Sequence, residues 1–266
     1  MIPRFFLHIC NFAVNTVLAL ALLISGCYAA YALWDNNQVL SSAHDVQADM
    51  IKLKPEIAPP EGESVDNTAT FAALLTLNAD VVGWLTMDNT RVDFPLLQGK
   101  DNLTYINRDV YGNFSLAGSI YLDSRNDPAF FDSYCLLYGH HMAEGNMFGD
   151  LDLYKDEAFF RTNRTGILIL PDRTYHLETV SCMLVSASDN YIFEPDRTRN
   201  VIPELLNYIE NNALYLHEEV LQQARETENL QLLALSTCSS EFTDARTIVI
   251  TVMKPVTMEA SKGETG

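Results

Sequence analysis

An uncharged apolar run near the N-terminus constrains this chain more than any other feature of its sequence. From Val17 to Trp34, eighteen consecutive residues carry no charge, and the apolar character extends back to Phe5. About twenty such residues are enough to cross the hydrocarbon core of a bilayer. Arg4 lies before the run and Asp35 directly after it, which favours an N-terminus inside and the bulk of the chain outside. The run is therefore predicted to be a transmembrane helix.

Two other interpretations of this run stay open. Residues Ile24–Cys27 resemble a lipoprotein signal whose Cys27 is lipidated after cleavage, and Ala30 and Ala32 offer a cleavage site for a secretory signal. Apolar residues continue past Cys27 to Trp34, which favours an uncleaved signal anchor. Under all three interpretations the rest of the chain lies outside the cytoplasm, and the anchored form is a single-pass protein of the cell membrane.

The overall composition is that of a globular protein with a strongly acidic charge. Of 266 residues, 48% are hydrophobic, which is enough for a sizeable core. The 17 basic and 35 acidic residues give a net charge of −18. Binding nucleic acid through its phosphates, or anionic lipid through charge, needs a basic surface. The charge argues against both classes of protein.

The chain divides by composition into four predicted parts. They are a signal anchor or transmembrane segment (1–34), an extracytoplasmic linker (35–67), a folded domain (68–256) and a disordered tail (257–266). Within the linker, Gln38–Lys54 is compatible with a helix, whereas the following proline-rich stretch is typical of a tether.

Short strand patterns separated by turn residues dominate the folded domain. A helix is predicted over Thr68–Asn78, and a helical block over Val201–Glu226 with a break at Asn211 and Asn212. Eight strands with peripheral helices indicate a mainly β fold, a barrel with helical insertions, and not an alternating α/β sheet. The predicted strands are Val81–Met87, Arg91–Leu97, Gly118–Leu122, Ser133–His140, Gly166–Leu170, Thr174–Ser186, Leu230–Cys238 and Arg246–Lys254.

The five cysteines fall into different settings. Cys10 and Cys27 lie in the N-terminal apolar segment, and Cys135 and Cys182 lie inside strand patterns. The strand cysteines are expected to be buried free thiols, although a disulfide between them stays open. Cys238 ends an apolar strand and is followed by the polar loop SSEFTDA, so its thiol is accessible and is a candidate nucleophile.

A basic residue begins the strand that follows Cys238. If these two strands form an antiparallel hairpin, Cys238 and Arg246 lie side by side at one edge of the sheet. A guanidinium there supplies fixed donors to a substrate carbonyl or a developing oxyanion. The residues alone leave open that Arg246 merely caps a surface strand.

Two adjacent histidines, His140 and His141, close the strand SYCLLYGH. Adjacent side chains of an extended chain point to opposite faces, so at most one of them faces a given cleft. A structural or surface role for both also stays open. A metal site is not expected, because the sequence has no helical pair of the HExxH type.

These elements together closely resemble one family, the sortases, and specifically class B. The motifs are YGHHM at 138–142, LSTC at 235–238 and an arginine eight residues after the cysteine. The segment DVVGWLTMDNTRVDFPLLQGKDNLTYINRD (80–109), GSIYLDSRND (118–127) and DNYIF (189–193) are also similar to class B sequences. The resemblance covers the chain from about Phe71 to Lys254.

The resemblance implies a closed eight-stranded sortase-type β-barrel with peripheral helices behind an N-terminal membrane helix. It implies that Cys238 is the nucleophile, that His140 is the general acid and base, and that Arg246 stabilises the oxyanion. His141 matches a second family histidine that is not expected to be catalytic. The residues expected to bind substrate are Asn102, Ile106, Tyr191, Ile192, Ser236 and Thr237.

The implied activity is that of a cysteine transpeptidase of a Gram-positive bacterium. Such an enzyme cleaves an LPxTG- or NPxTN-like C-terminal sorting signal of a secreted protein, and transfers the acyl group through a thioester to a cell-wall amine. No metal or other cofactor is expected. Three alternatives stay open: polymerisation of pilin subunits through a lysine amine, hydrolysis by a cysteine protease, and a non-catalytic binding barrel tethered to the membrane.

Overall fold

The uncharged N-terminal run folds into one long helix, α1 (Arg4–Ile51). The helix is long and apolar enough to cross a membrane, judged by length and composition. Our computed structural model describes residues 4–55, 68–238, 241 and 243–256. The chain forms two units, Met1–Ser42 and Ala43–Gly266. Most of the predicted tether, from residue 56 to 67, and the predicted tail 257–266 lie outside the described residues.

The second unit contains nine strands and six further α-helices among its described residues. The strands are β1 (Val81–Met87), β2 (Asp93–Leu97), β3 (Ile120–Leu122), β4 (Tyr134–Tyr138), β5 (Thr165–Ile169), β6 (Thr174–Ser186), β7 (Ala213–Leu216), β8 (Leu232–Cys238) and β9 (Ala245–Pro255). The helices are α2 (Thr68–Leu77), α3 (Glu157–Thr162), α4 (Asn190–Phe193), α5 (Pro195–Thr198), α6 (Ile202–Asn212) and α7 (Glu218–Glu226). Two 3₁₀ helices, Ala143–Gly145 and Gly149–Lys155, follow β4.

Eight of these strands close into a barrel, as the sequence predicts. Their order is β5-β1-β2-β3-β4-β8-β9-β6, and β6 pairs back with β5. The pairs β2–β3 and β4–β8 are parallel, whereas the other barrel pairs are antiparallel. Closure leaves no free edge among the eight strands, which removes the exposed backbone donors and acceptors of an open sheet.

The alternation of side chains along the strands gives the barrel two apolar surfaces. One set fills the interior and includes Leu85, Leu137, Leu235 and Val249. The set of opposite phase packs under helices α6 and α7, with residues such as Leu136, Ala234 and Ile250 against Leu205 and Val220. Both faces of β4 and β8 are therefore buried up to their last residues, of which Tyr138 is half-buried and Cys238 is exposed.

The helical block departs from prediction at its break. A short strand, β7, lies between α6 and α7 and pairs with β6 along the same edge as β5, beyond the end of the β5 ladder, whereas β9 pairs along the other edge. Four residues are too few to give a clear strand pattern between two amphipathic helices. The strand exists because β6 is thirteen residues long and offers it backbone partners.

Candidate active site

The parallel pairing of β4 and β8 brings two distant parts of the sequence to one edge of the barrel. Tyr138, the last residue of β4, pairs with Ser236, and the next backbone N–H, that of Gly139, donates to the carbonyl oxygen of Ser236 at 3.1 Å. Parallel strands end at the same edge of a sheet. The chain that carries His140 therefore leaves the sheet beside the end of β8, where Cys238 lies.

The antiparallel pairing of β8 with β9 adds the third residue. Cys238 and Arg246 are direct partners in this ladder. Directly opposed residues of an antiparallel pair have Cβ atoms about 4.5–5.5 Å apart and share one face of the sheet. The hairpin expected from the sequence is thus confirmed, and it aims the thiol and the guanidinium in the same direction.

The three side chains line one open cleft of about 280 Å³. Three of the residues that the resemblance implies for substrate binding, Ile106, Ser236 and Thr237, line the same cleft. Its other lining residues are Tyr121, Tyr138, Gly139, Ala187 and Phe193. A nucleophile, an imidazole and a fixed cation around one concave surface are suited to acyl transfer.

The thiols of the barrel differ sharply in accessibility. Cys135 and Cys182 are fully buried free thiols, so they form no disulfide with each other. Burial raises the pKa of Cys135 strongly and the pKa of Cys182 to about 12, because a buried thiolate loses its hydration. Cys238 is exposed. Since the thiolate is the reactive form, the accessible Cys238 is the thiol suited to attack a substrate.

His140 is held by a backbone acceptor. Its Nε2 lies 2.6 Å from the carbonyl oxygen of Ile106, in the connection between β2 and β3. A carbonyl oxygen only accepts, so Nε2 carries a proton and donates. His141 turns away from the cleft, as the alternation of adjacent side chains predicts, and its Nε2 contacts Asp152 Oδ2 at 3.0 Å.

Arg246 is half-buried, and its Nη1 donates to the carbonyl oxygen of Ala245 at 2.9 Å. No carboxylate among the described residues forms an ion pair with this guanidinium. An arginine offers five N–H donors, most of which thus stay available to a ligand. Donors fixed in this way are suited to bind the oxygen of a tetrahedral intermediate.

An aromatic wall, formed by Tyr121, Tyr138 and Phe193, lines the cleft. The ring centroids lie 5.3 Å apart for the two tyrosines and 6.3 Å apart for Tyr138 and Phe193. Burial, with smaller effects from Asp123 and Cys238, raises the pKa of Tyr121 to about 12. Sequence reasoning did not assign these three residues a role, although each lies within a segment that carries the family resemblance.

A buried carboxylate fixes the aromatic wall from behind. Asp123 accepts the hydroxyl of Tyr138 at 3.0 Å, and its Oδ1 and Oδ2 accept Nε and Nη2 of Arg125. Arg125 Nη2 also donates to the carbonyl oxygen of Phe193 at 2.8 Å. Burial alone would raise the pKa of Asp123, but the hydrogen bonds and charge of Arg125 outweigh burial and hold that pKa below its ordinary value.

Three residues implied for substrate binding lie elsewhere. The ring of Tyr191 stacks on that of Tyr208 at 4.6 Å, Ile192 is fully buried under the helices, and Asn102 donates from its amide nitrogen to Asp123. Helix α4 explains the first two positions, because consecutive residues of a helix point about 100° apart. Of the aromatic and aliphatic residues in α4, Phe193 is the one that lines the cleft.

Metal ligation has no basis in the part of the chain that the structure describes. No group of three or more histidine, cysteine, aspartate or glutamate side chains is arranged there to hold an ion.

No family model matches the sequence, but individual relatives do. Sortase B of Listeria monocytogenes is 34% identical over 174 residues, which cover 63% of this chain and 66% of that protein. The chain thus spans slightly less than two thirds of this relative. Sortase B of Staphylococcus aureus is 27% identical over 187 residues, which cover 69% of this chain and 73% of that protein.

Solved structures agree in sequence and in fold. A class B sortase of Streptococcus pyogenes is 36% identical, with a TM-score of 0.62, and the match covers 69% of this chain and 97% of that one. A Bacillus anthracis protein similar to sortase B is 30% identical, with a TM-score of 0.63, and the match covers 84% of this chain and 98% of that one. The chain therefore belongs to the class B sortases.

Proposed function

We propose that this chain cleaves the C-terminal sorting signal of secreted proteins and transfers the acyl group to an amine, with Cys238, His140 and Arg246 as its catalytic residues. The observation that carries the proposal is the strand register. Tyr138 pairs with Ser236, and Cys238 pairs with Arg246. These two pairings direct one thiol, one imidazole and one guanidinium into the same cleft.

In the first half-reaction, the thiolate of Cys238 attacks the scissile carbonyl of the sorting signal. The negative charge that develops on the carbonyl oxygen is stabilised by the guanidinium of Arg246. The C–N bond then breaks, and His140 donates a proton to the departing amine. The product is a thioester between Cys238 and the new acyl end of the secreted protein, because a thiolate is both a good nucleophile and a good leaving group.

In the second half-reaction, an incoming amine attacks the thioester carbonyl. His140 accepts the proton that the amine loses, Arg246 again stabilises the oxyanion, and the thiolate of Cys238 departs. The bond between Nε2 of His140 and Ile106 keeps the ring in the cleft through both halves. Since the acceptor of that bond is a carbonyl, no carboxylate is needed to orient the histidine.

The sorting signal is proposed to lie along the cleft, against Ile106, Ser236 and Thr237 and the aromatic wall. Ser236 and Thr237 are each 2% exposed, so they form the floor of the cleft and offer a peptide only a small contact surface. The resemblance to the family also keeps Tyr191, Ile192 and Asn102 as proposed substrate residues. Tyr191 and Asn102 are partly exposed, so a peptide that extends beyond the cleft can contact them, whereas Ile192 is buried and supports the groove from below.

The N-terminal segment is proposed to anchor the enzyme in the cell membrane, with the barrel on the extracytoplasmic side. Helix α1 supplies the length and the apolar composition. The proposed parts of the chain are a signal anchor (1–34), a linker (35–67), a catalytic domain (68–256) and a tail (257–266). A secreted substrate and a cell-wall acceptor both require this orientation.

The acceptor amine has two candidates. One is an amine of the cell wall, and the other is a lysine side chain of a pilin subunit. The second is favoured by one relative, since the Streptococcus pyogenes class B sortase that is 36% identical to this chain is described as involved in pilus biogenesis. Both acceptors use the same first half-reaction and differ only in the amine that enters.

The proposed function is tested by incubating the enzyme with LPxTG- and NPxTN-like peptides, with and without an added amine. We expect cleavage of at least one peptide, and a peptide–amine conjugate when a glycine α-amine or a lysine ε-amine is present. Cys238→Ala removes cleavage and conjugation, whereas Cys27→Ala, which removes another exposed thiol, leaves both intact. Cleavage without any conjugate identifies a hydrolytic cysteine protease instead. No cleavage of any peptide contradicts the proposal.

A further inference from the structure

The 3₁₀ helix Gly149–Lys155 contacts the sequence neighbours of the proposed catalytic residues. Asp152 Oδ2 accepts from Nε2 of His141, which directly follows His140, at 3.0 Å. Its other oxygen, Oδ1, accepts the hydroxyl of Thr247, which directly follows Arg246, at 3.2 Å. One carboxylate therefore links the segment after β4 to the beginning of β9.

The same helix also holds the connection that follows Cys238. Lys155 Nζ lies 2.5 Å from Oε1 of Glu241, which lies between Cys238 and Arg246 in the sequence. It lies 2.9 Å from Asp152 Oδ1 as well. Asp152 and Lys155 thus form an ion pair with each other. Their contacts with His141, Thr247 and Glu241 connect them to the parts of the chain that carry His140, Arg246 and Cys238.

The helix is a rigid base for these contacts. Leu151 and Tyr154 are fully buried and pack in the barrel interior. The charged side chains are partly withdrawn from water, since the exposed fractions are 19% for Lys155 and 33% for Asp152. Charge pairs in such a setting are screened less than pairs on an open surface. His141 and Glu241, which these charged side chains contact, both lie outside the strands.

We propose that Asp152, Lys155 and Glu241 are positioning residues, which set the distances between Cys238, His140 and Arg246 without touching the substrate. This inference rests on the proposed function. Catalytic groups have to be held within about 0.5 Å of their productive geometry, and a displacement of about 1 Å can reduce turnover a hundredfold. Loss of the Glu241–Lys155 pair therefore slows the chemical steps, while peptide binding along the cleft is kept.

A double-mutant cycle in the full chain tests this role. We expect Glu241→Gln and Lys155→Met each to reduce kcat about tenfold, and the double variant to lose no more than Lys155→Met alone, because Lys155→Met already breaks the pair that Glu241→Gln breaks. KM for the sorting peptide stays within about twofold of the wild-type value. Lys155→Arg keeps the charge and restores most of kcat. Asp152→Ala, which removes the acceptor of His141 and Thr247 as well, has the largest effect.

The matched control is the ion pair between Glu157 and Arg161, one turn apart on α3. Glu157→Gln removes a carboxylate from an exposed pair that contacts no residue of the cleft, and it leaves kcat unchanged. Melting temperatures of Glu241→Gln and Glu157→Gln both stay within about 4 °C of wild type, because exposed or half-exposed pairs contribute little stability. A fall in kcat without a fall in stability separates positioning from a merely structural role.

The outcomes distinguish this inference from the proposed function. If the wild-type chain cleaves no sorting peptide, or if Cys238→Ala cleaves it equally well, the proposed function is overturned and this inference fails with it. Wild-type cleavage combined with unchanged kcat in Glu241→Gln and Lys155→Met overturns the positioning role alone. Losses of kcat that add up in the double variant also contradict it, since they would mean that the two side chains act separately.

Discussion

His140 donates from Nε2 to the carbonyl oxygen of Ile106 at 2.6 Å, across 34 residues of sequence. The carbonyl belongs to the connection between β2 and β3 and not to the sheet that carries the catalytic strands. The orientation of the imidazole thus depends on how this connection folds. One position in it, Gly118, decides whether the Ile106 carbonyl can lie where it does.

Replacing Gly118 is expected to displace the acceptor of His140. Gly118 has φ +60°, and a Cβ there would lie 2.4 Å from the Ile106 carbonyl oxygen, which is far inside contact distance. Gly118→Ala should therefore reduce kcat about tenfold, because the imidazole loses its fixed position. Steady-state kinetics on a cleaved sorting peptide measures the effect.

Gly112 provides the control for that change. It also has a positive φ, +85°, but a Cβ there would meet nothing within 4 Å. Gly112→Ala and Gly118→Ala share the backbone cost of a left-handed residue, about 1 kcal/mol. If both variants lose the same small fraction of kcat, the hydrogen bond to Ile106 does not orient the catalytic histidine.

Arg246→Lys is expected to reduce kcat/KM about a hundredfold, although the positive charge is retained. The planar guanidinium presents several donors in a fixed geometry, whereas a lysine ammonium does not reproduce that fork. Loss of one oxyanion donor typically costs a factor of this size. Initial rates of peptide cleavage report the loss, and Arg225→Lys, on the remote helix α7, serves as the comparison. Near-normal rates in Arg246→Lys would assign the oxyanion role to other groups.

Thiol reactivity should separate the three cysteines of the barrel. Brief treatment of the folded protein with iodoacetamide at mildly alkaline pH is expected to modify Cys238 and to spare Cys135 and Cys182. Burial raises the pKa of the latter two above their ordinary value, so they stay protonated as well as inaccessible while the barrel is folded. Peptide mapping by mass spectrometry measures the modified fraction. Modification of all three at similar rates without denaturant would contradict the packing described.

Asp123→Asn is expected to destabilise the barrel by roughly 2 kcal/mol at about pH 7, because it removes the charge of a buried carboxylate and weakens the hydrogen bonds that this carboxylate accepts. The pKa of Asp123 is lowered in the folded protein, so its carboxylate contributes stability that is complete above the ordinary value of 3.8 and is lost as the pH falls further. The gap between wild type and Asp123→Asn should therefore narrow below about pH 4.

Urea unfolding at several pH values, followed by the fluorescence of the buried Trp84, measures that gap. Asp172→Asn is the control, since Asp172 is largely exposed in its pair with Arg173 and its loss should cost less than about 1 kcal/mol. A gap that stays constant down to acidic pH would mean that the pKa of Asp123 is the same in the folded and the unfolded protein.

The sequence was sufficient for the barrel strands and for the Cys238–Arg246 hairpin, because both depend on local patterns and a short connection. Nothing local relates Tyr138 to Ser236, which are 98 positions apart by number and meet through the β4–β8 ladder. That juxtaposition came from the family resemblance alone. The aromatic wall and the Asp152–Lys155 pair were not predicted. Which rings line the cleft, and which charged side chains meet, depends on tertiary packing and not on the spacing of residues in the sequence.

Helix α4 contains two residues that were expected at the cleft and do not line it. The family resemblance alone placed Tyr191 and Ile192 at the cleft, and the segment DNYIF is too short to show a helical period that would have separated their directions. Asp189 caps the turn by accepting the backbone N–H groups of both residues at 2.9 and 3.1 Å. The resulting turn buries Ile192 and brings Phe193 to the cleft instead.

The central claim is that Cys238 forms a thioester with the sorting signal, and intact-protein mass spectrometry tests it most directly. After brief incubation with a cleavable sorting peptide and no added amine, we expect an adduct with the mass of the acyl fragment, located on Cys238 by fragmentation and discharged when an amine is added. An adduct on another residue, or peptide cleavage that proceeds equally in Cys238→Ala, would contradict the account.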